Sequence, residues 1–267
     1  MARAVLVWAV LVAGGVLVAQ DAPLSPRLLE GLRQALAPAL PFPEASANGL
    51  PVSGAPEPEW AVRWPSPGEA RVEVLANPLN PDNRARALAA EREIQAAVMR
   101  AQSRAQSDYE RALRDFERTG AVDPIREISL RDDGVAGERY DAESQLTIEL
   151  LRIDGSYTAF VPGPRAPEVV ADAPEPIDVL IRVPAQAYDD PDAGGDARYA
   201  PAQAWVILGE ASTSVTAGPD APGASLTVTP GGAERRAVVV HVSGNQALID
   251  QVVTRGDWAV LLVAIQG

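Results

Sequence analysis

The chain has 267 residues, a formal net charge of −13, one His, no Cys, and 23 basic residues that are all Arg. Without Cys, a disulfide framework, a zinc–thiolate site and a cysteine nucleophile are excluded, and a lone His excludes any mechanism that needs two imidazoles. An acidic surface repels phosphates, so nucleic acid is not an expected partner.

The composition, 47% hydrophobic and 22% charged, is that of an ordinary globular chain. Its N-terminus reads as an export signal over residues 1–19. Arg3 supplies the positive start, residues 4–19 are apolar, and Ala19 offers a small residue before Gln20. The run falls short of the roughly 20 apolar residues that span a bilayer. A periplasmic or secreted protein is therefore expected, and an uncleaved N-terminal anchor is the one membrane attachment considered. Lipid attachment at a cleaved end is excluded, because there is no Cys to acylate.

Residues 20–81 read as a Pro-rich linker that includes a short helix and a strand. Half of the 24 prolines lie between Pro23 and Pro81. Ser25-Pro26 predicts a helix start, with Ser as N-cap and Pro in the first turn. From Pro38 to Pro67 the prolines recur too often for helix or central strand, which predicts extended chain. Arg71-Val72-Glu73-Val74-Leu75 alternates and predicts a strand that joins the sheet downstream.

Asp82 is read as the cap of a long amphipathic helix over residues 82–119, rich in strong helix formers and closed by Thr119-Gly120. Its apolar stripe runs Ile94, Val98, Ala101, Ala105, Tyr109, Ala112, Phe116, an eleven-residue repeat that suits a nearly straight helix. The opposite side carries charges, with Glu110–Arg114 and Arg111–Asp115 expected as i,i+4 pairs. The stripe requires cover. Packing on the chain's own β-domain is one solution; self-association or a protein partner is the other.

Residues 120–267 read as a β-rich domain. A strand is expected at residues 125–131, with a turn at Asp132-Asp133-Gly134. Residues 145–153 and 156–161, joined by Asp154-Gly155, read as a hairpin pairing Ile153 with Ser156 and Leu150 with Ala159. Leu146, Ile148, Leu150, Ala159 and Val161 would then share one face. Residues 162–176 read as a second Pro-rich connection. Further strands are expected at residues 177–183, 204–209, 226–229, 236–242 and 258–265, the last two apolar enough to be covered on both faces. Between them Asn245 caps a helix that ends at Gly256, making a strand-helix-strand unit. This domain holds 10 Arg and 22 acids, so its partners are not polyanions or membrane surfaces.

Candidate chemistry is sparse. His241 precedes Ser243-Gly244-Asn245 at a helix start, where an anion could sit beside a proton carrier. No Gly-rich phosphate loop or G-x-S-x-G elbow accompanies it. Asp189, Asp190, Asp192 and Asp196 crowd a Gly-containing turn. An EF-hand register fails, because Gly194 and Pro201 replace required ligands. A looser Ca²⁺ loop through Asp190, Asp192 and Asp196 stands against a solvated acidic turn. Trp60, Trp64, Trp205 and Trp258 are candidates for a sugar or peptide surface, and Trp258 for a core plug.

The fold class is thus α+β: a long amphipathic helix followed by a β-rich domain. No cofactor is expected beyond that Ca²⁺. The function expected is an exported, non-catalytic binding or assembly module of the cell envelope. The alternatives are a secreted hydrolase using a carboxylate pair and a Ca²⁺-dependent extracellular module.

Overall fold

A computed structural model describes residues 25–46, 50, 58–65, 69–120, 133–153, 155–190, 196–217, 223–231 and 237–266. The chain is of the mixed α+β class. Among the described residues no helix is long and apolar enough to cross a membrane.

Seven strands form the main sheet: β1 (Trp60–Arg63), β2 (Arg71–Ala76), β3 (Gln145–Ile153), β5 (Glu168–Val170), β6 (Val179–Val183), β9 (Ala202–Leu208) and β12 (Ala237–Gly244). Their spatial order is β1-β2-β3-β12-β9-β6-β5, with every pair antiparallel. Three more, β4 (Tyr157–Pro162), β10 (Ala211–Ala217) and β11 (Gly223–Pro230), make a second sheet in the order β10-β11-β4. A separate hairpin joins β7 (Gln186–Asp190) to β8 (Asp196–Ala200).

The main sheet is covered on both sides. One face, with Val72, Ile148, Val206, Val240 and Val242, packs on α1 (Pro26–Leu36), α4 (Gln246–Arg255) and α5 (Trp258–Gln266). The other, with Ile181, Trp205, Ile207 and Val239, packs on Val161, Leu226 and Val228 of the second sheet. This explains the unbroken apolar text of β12: Val238, Val239, Val240 and Val242 are all fully buried. Each such burial stabilises by about 1.5–3 kcal/mol.

Helix starts follow local chemistry. The Ser25 hydroxyl accepts from the Leu28 N–H at 3.3 Å, and the spacing of Leu28, Leu32, Ala35 and Leu36 turns one side of α1 inward. At Gly31 an added Cβ would lie 2.7 Å from that of Ala264, so α1 and α5 approach as closely as glycine permits. The long helix α2 (Pro81–Thr119) is capped by Asn80 rather than Asp82: the Asn80 side chain accepts from the N–H groups of Asp82 and Asn83. Gly120, at φ +69°, closes it with an N–H to the Phe116 carbonyl.

Several expectations are corrected. β3 and β4 are strands, but they do not form a hairpin: β3 pairs with β2 and β12, and β4 with β11. With Leu146, Ile148 and Leu150 on one face and Leu151 on the other, β3 needs cover on both sides and so takes a central place in the large sheet. The Asp-Gly signal is a local one and does not reveal that the chain leaves one sheet for another. The run from Trp258 is helix α5, not a strand, so the C-terminal unit is strand-helix-helix. Asp133-Gly134 opens α3 (Asp133–Glu143) instead of a turn. Strands β1 and β5 lie inside the two Pro-rich stretches, and β1 is bridged at Val62 by Glu44. The expected strand at 125–131 and the signal segment at 1–19 lie outside the described residues.

Candidate functional site

Register places a row of polar side chains across the second face of the main sheet. Arg71 of β2 is opposite Glu149 of β3, Glu149 is opposite His241 of β12, and His241 is opposite Trp205 of β9. The Arg71 guanidinium donates through Nε and Nη2 to one Glu149 oxygen, the Nε contact at 2.9 Å. The other Glu149 oxygen lies 3.7 Å from His241 Nδ1, an ion-pair distance beyond hydrogen-bond reach. His241 Nε2 meets the Gln203 side-chain oxygen at 3.1 Å, and the imidazole stacks on Trp205 at 4.8 Å and 17°.

These contacts set the electrostatics. The His241 side chain, and then Arg71, hold the Glu149 carboxyl down at about 2, against the opposing effect of its own burial. Beside this row Tyr157 of β4 is pushed above the ordinary phenol range, chiefly by burial, with the Glu149 charge adding to it. A parallel row carries Arg63 and Glu73, paired at 2.6 Å. The Arg63–Glu73 and Arg71–Glu149 pairs tie β1 to β2 and β2 to β3 by charge-assisted contacts, and the His241–Gln203 contact joins β12 to β9. Both nitrogens of His241 face protein groups, and Nε2, where a nucleophile would have to dock, is occupied by an amide oxygen.

The other sequence candidates are dispersed. Gly244, at φ +133°, sits hard against the Gln145 carbonyl. Asn245 caps α4, accepting from the Leu248 N–H at 3.2 Å and donating to the Glu143 carbonyl at 2.8 Å. That end therefore performs capping and packing. Asp190 and Asp196 are register partners closing the β7–β8 hairpin, Asp189 is exposed, and Asp192 lies outside the described residues. Trp205 is on the opposite face of the sheet from Trp60, Trp64 and Trp258, so the four do not line one surface. Trp258 is a core plug, its indole N–H donating to the Val253 carbonyl at 3.1 Å.

Sequence reasoning missed Arg71, Glu149 and Gln203 as partners of His241. The available signal was a single carboxylate in the apolar text of β3, Leu-Thr-Ile-Glu-Leu-Leu, which requires a cation opposite it once the strand is central. It also missed a cleft of about 210 Å³ between α2, α3 and the end of β2, lined by Asn83, Arg86, Glu93, Arg139, Tyr140 and Glu143. Its charges are largely matched: Arg139 pairs with Glu93 at 2.6 Å, and Arg86 with Glu59 at 2.8 Å. It is smaller than the 300–1,000 Å³ typical of ligand pockets.

Large apolar side chains are exposed on several regular elements, among them Val169 of β5, Val263 of α5, and Leu88, Met99, Tyr109, Leu113 and Phe116 of α2. The N-terminal part of α2 is anchored: Asn83 is buried and donates to the carbonyls of Glu59 and Asn77, Arg86 lies over the Trp60 ring, and α3 packs alongside near Ile94. Ala97 and Ala101 are the last buried residues of the helix. Beyond them Tyr109, Leu113 and Phe116 are 60%, 45% and 46% exposed. The ion pairs seen there run i,i+3, Arg111 with Asp108 and Arg118 with Asp115, in place of the expected i,i+4 pairs. Comparison with known proteins finds no family model, no curated protein and no solved structure that matches this chain.

Proposed function

We propose that this protein is an exported, non-catalytic assembly module whose sheet body holds α2 as its contact element. One observation carries the reading: the far half of α2 leaves the cover of α3 with Tyr109, Leu113 and Phe116 exposed along one side. Aromatic and large aliphatic residues grouped on a regular, well-anchored element are characteristic of protein-binding surfaces. The polar row around His241 supports the same reading, since its groups are spent on one another in joining strands. Export is inferred from the Arg3 start and the apolar run over residues 4–19.

The test has two arms. Tyr109→Asp/Phe116→Asp should abolish assembly of the full chain while leaving its urea midpoint within experimental error, because both residues are exposed. A broad panel of hydrolase substrates should show no turnover. Turnover lost on substitution of a single carboxylate, such as Glu143→Gln in the cleft, would overturn the reading in favour of a hydrolase.

A further inference from the structure

We infer that β10 is an open sheet edge that pairs with β10 of a second copy of this chain, antiparallel, about a two-fold axis at Ser214. The inference goes beyond the assembly reading above and concerns a surface separate from α2. Its first ground is that the other sheet edges among the described residues are obstructed. Beside β1, the Ala45 N–H donates to the Val62 carbonyl at 2.7 Å and the Val62 N–H to the Pro43 carbonyl at 2.9 Å. β5 is only three residues long. β4 ends at Pro162, which has no N–H and whose carbonyl accepts from Gln186 Nε2 at 3.1 Å. In the small hairpin, β7 ends in Asp189 and Asp190, and the Tyr199 N–H of β8 donates to Glu138 at 2.6 Å. Short length, proline, charge and cover are the means by which sheets prevent strand addition. β10 has none of them: its seven residues read Ala-Ser-Thr-Ser-Val-Thr-Ala, without charge or proline. Among the described residues β11 is the only strand beside it.

Hydrogen-bond direction fixes which groups wait at that edge. The Gly231 N–H donates to the Glu210 carbonyl at 2.8 Å in the β10–β11 register, and hydrogen-bonded pairs alternate along an antiparallel ladder. Ser212, Ser214 and Thr216 therefore turn their backbone groups to β11, and Thr213 and Val215 turn theirs outward. A reversed copy centred on Ser214 sets Thr213 opposite Val215 and Val215 opposite Thr213, so the outward groups of each strand meet those of the other. Ser214 then faces its own equivalent, and Ser212 faces Thr216, in the pairs whose side chains lie closest. Hydroxyl meets hydroxyl on the exposed face, as Ser156–Thr229 and Thr158–Thr227 already do between β4 and β11 at 3.1 and 3.2 Å. On the inner face Ala211 and Val215 pack against the core between the two sheets yet stay half-buried, so a further strand completes their cover.

Side-chain chemistry selects a second copy. Added strands are told apart by pockets or charges beside the edge, and here Ser212, Ser214 and Thr216 present only hydroxyl and methyl groups. Because the contact is neutral, a chain of charge −13 meets itself there without like charges facing. The nearest charge along the chain, Glu210, is four residues from the axis, which sets its two copies about 27 Å apart. An isologous contact of this kind closes as a dimer.

Because the chain has no Cys, single-cysteine variants of the full chain give a clean readout. Ser214 and its equivalent form a pair with Cα atoms about 4.5 Å apart, within the roughly 4.4–6.8 Å of a disulfide. Ser214→Cys alone should therefore oxidise to a covalent dimer. Ser212 lies about 14 Å along the strand from its own equivalent, so Ser212→Cys alone should stay uncrosslinked, and its mixture with Thr216→Cys should crosslink. Ser214→Lys sets two cations face to face at the axis and should weaken the wild-type dimer roughly tenfold or more by sedimentation equilibrium. Its urea midpoint should match wild type, because Ser214 is exposed. A wild-type chain that is monomeric up to about 0.1 mM overturns the inference. So does Ser212→Cys crosslinking alone, or a Ser214→Cys chain that fails to crosslink. In the assembly reading α2 carries these pairs into larger assemblies, so Tyr109→Asp/Phe116→Asp should leave the Ser214→Cys crosslink in place. Loss of the crosslink in that variant would move the contact to α2 and overturn the β10 pairing, whereas larger assemblies that survive the variant count against α2 alone.

Discussion

Replacing Glu149 with Gln removes the charge that joins Arg71 to His241 while preserving size. The carboxyl lies at about 2 in the folded chain against an ordinary 4.5. At 1.36 kcal/mol per unit this amounts to about 3 kcal/mol, and solvent screening at a side chain one-fifth exposed lowers it to about 2 kcal/mol. A carboxyl held down by folding stabilises fully above its unfolded value and loses that contribution as pH falls toward its folded one. Urea unfolding of wild type and Glu149→Gln should therefore differ by about 2 kcal/mol at pH 7. The gap should begin to close below about pH 4.5, be roughly halved near pH 3, and be nearly gone only as pH falls through about 2. Equal m-values would confirm that only the native state changed. A gap that stays constant from pH 7 to pH 3 would refute the electrostatic account and leave packing as the cause.

Three further outcomes follow from local geometry. Gly31→Val should lower stability by about 1–3 kcal/mol through overpacking against Ala264, whereas Gly155→Ala, with open space around its Cβ, should leave the melting temperature unchanged. Asn245→Ala should cost about 1 kcal/mol and Asn245→Ser much less, since a hydroxyl still caps α4; equal losses would place the effect in the Glu143 contact instead. If the Asp190–Asp196 turn is a solvated turn, chelator and millimolar Ca²⁺ should leave the thermal midpoint unmoved, and a Ca²⁺-dependent rise of several degrees would assign it a cation.

What the sequence disclosed depended on whether the signal was local. The Ser25 and Asn245 caps, the span of α2 and the apolar runs of β9 and β12 were all readable from periodicity and capping chemistry. The run from Trp258 is apolar on every side, so it carries no period to separate helix from strand; contact with α1 across Gly31 accompanies its helical form. α3, with two glycines and weak amphipathicity, held no signal stronger than its Asp-Gly pair, and its packing partners are on α2 and β8. The row at His241 was hidden for a different reason. Each of its strands is readable, but Arg71, Glu149, Gln203 and His241 are brought together by a strand order that links neighbours 78, 92 and 38 positions apart, for which a single sequence offers no clue.

Amide hydrogen exchange of the full chain, measured at low and high protein concentration, tests most directly whether α2 is the contact element. Residues 102–118 should gain protection as concentration rises, while β9 and β12, already deep in the body, stay unchanged. Identical exchange of that segment at both concentrations would contradict the account.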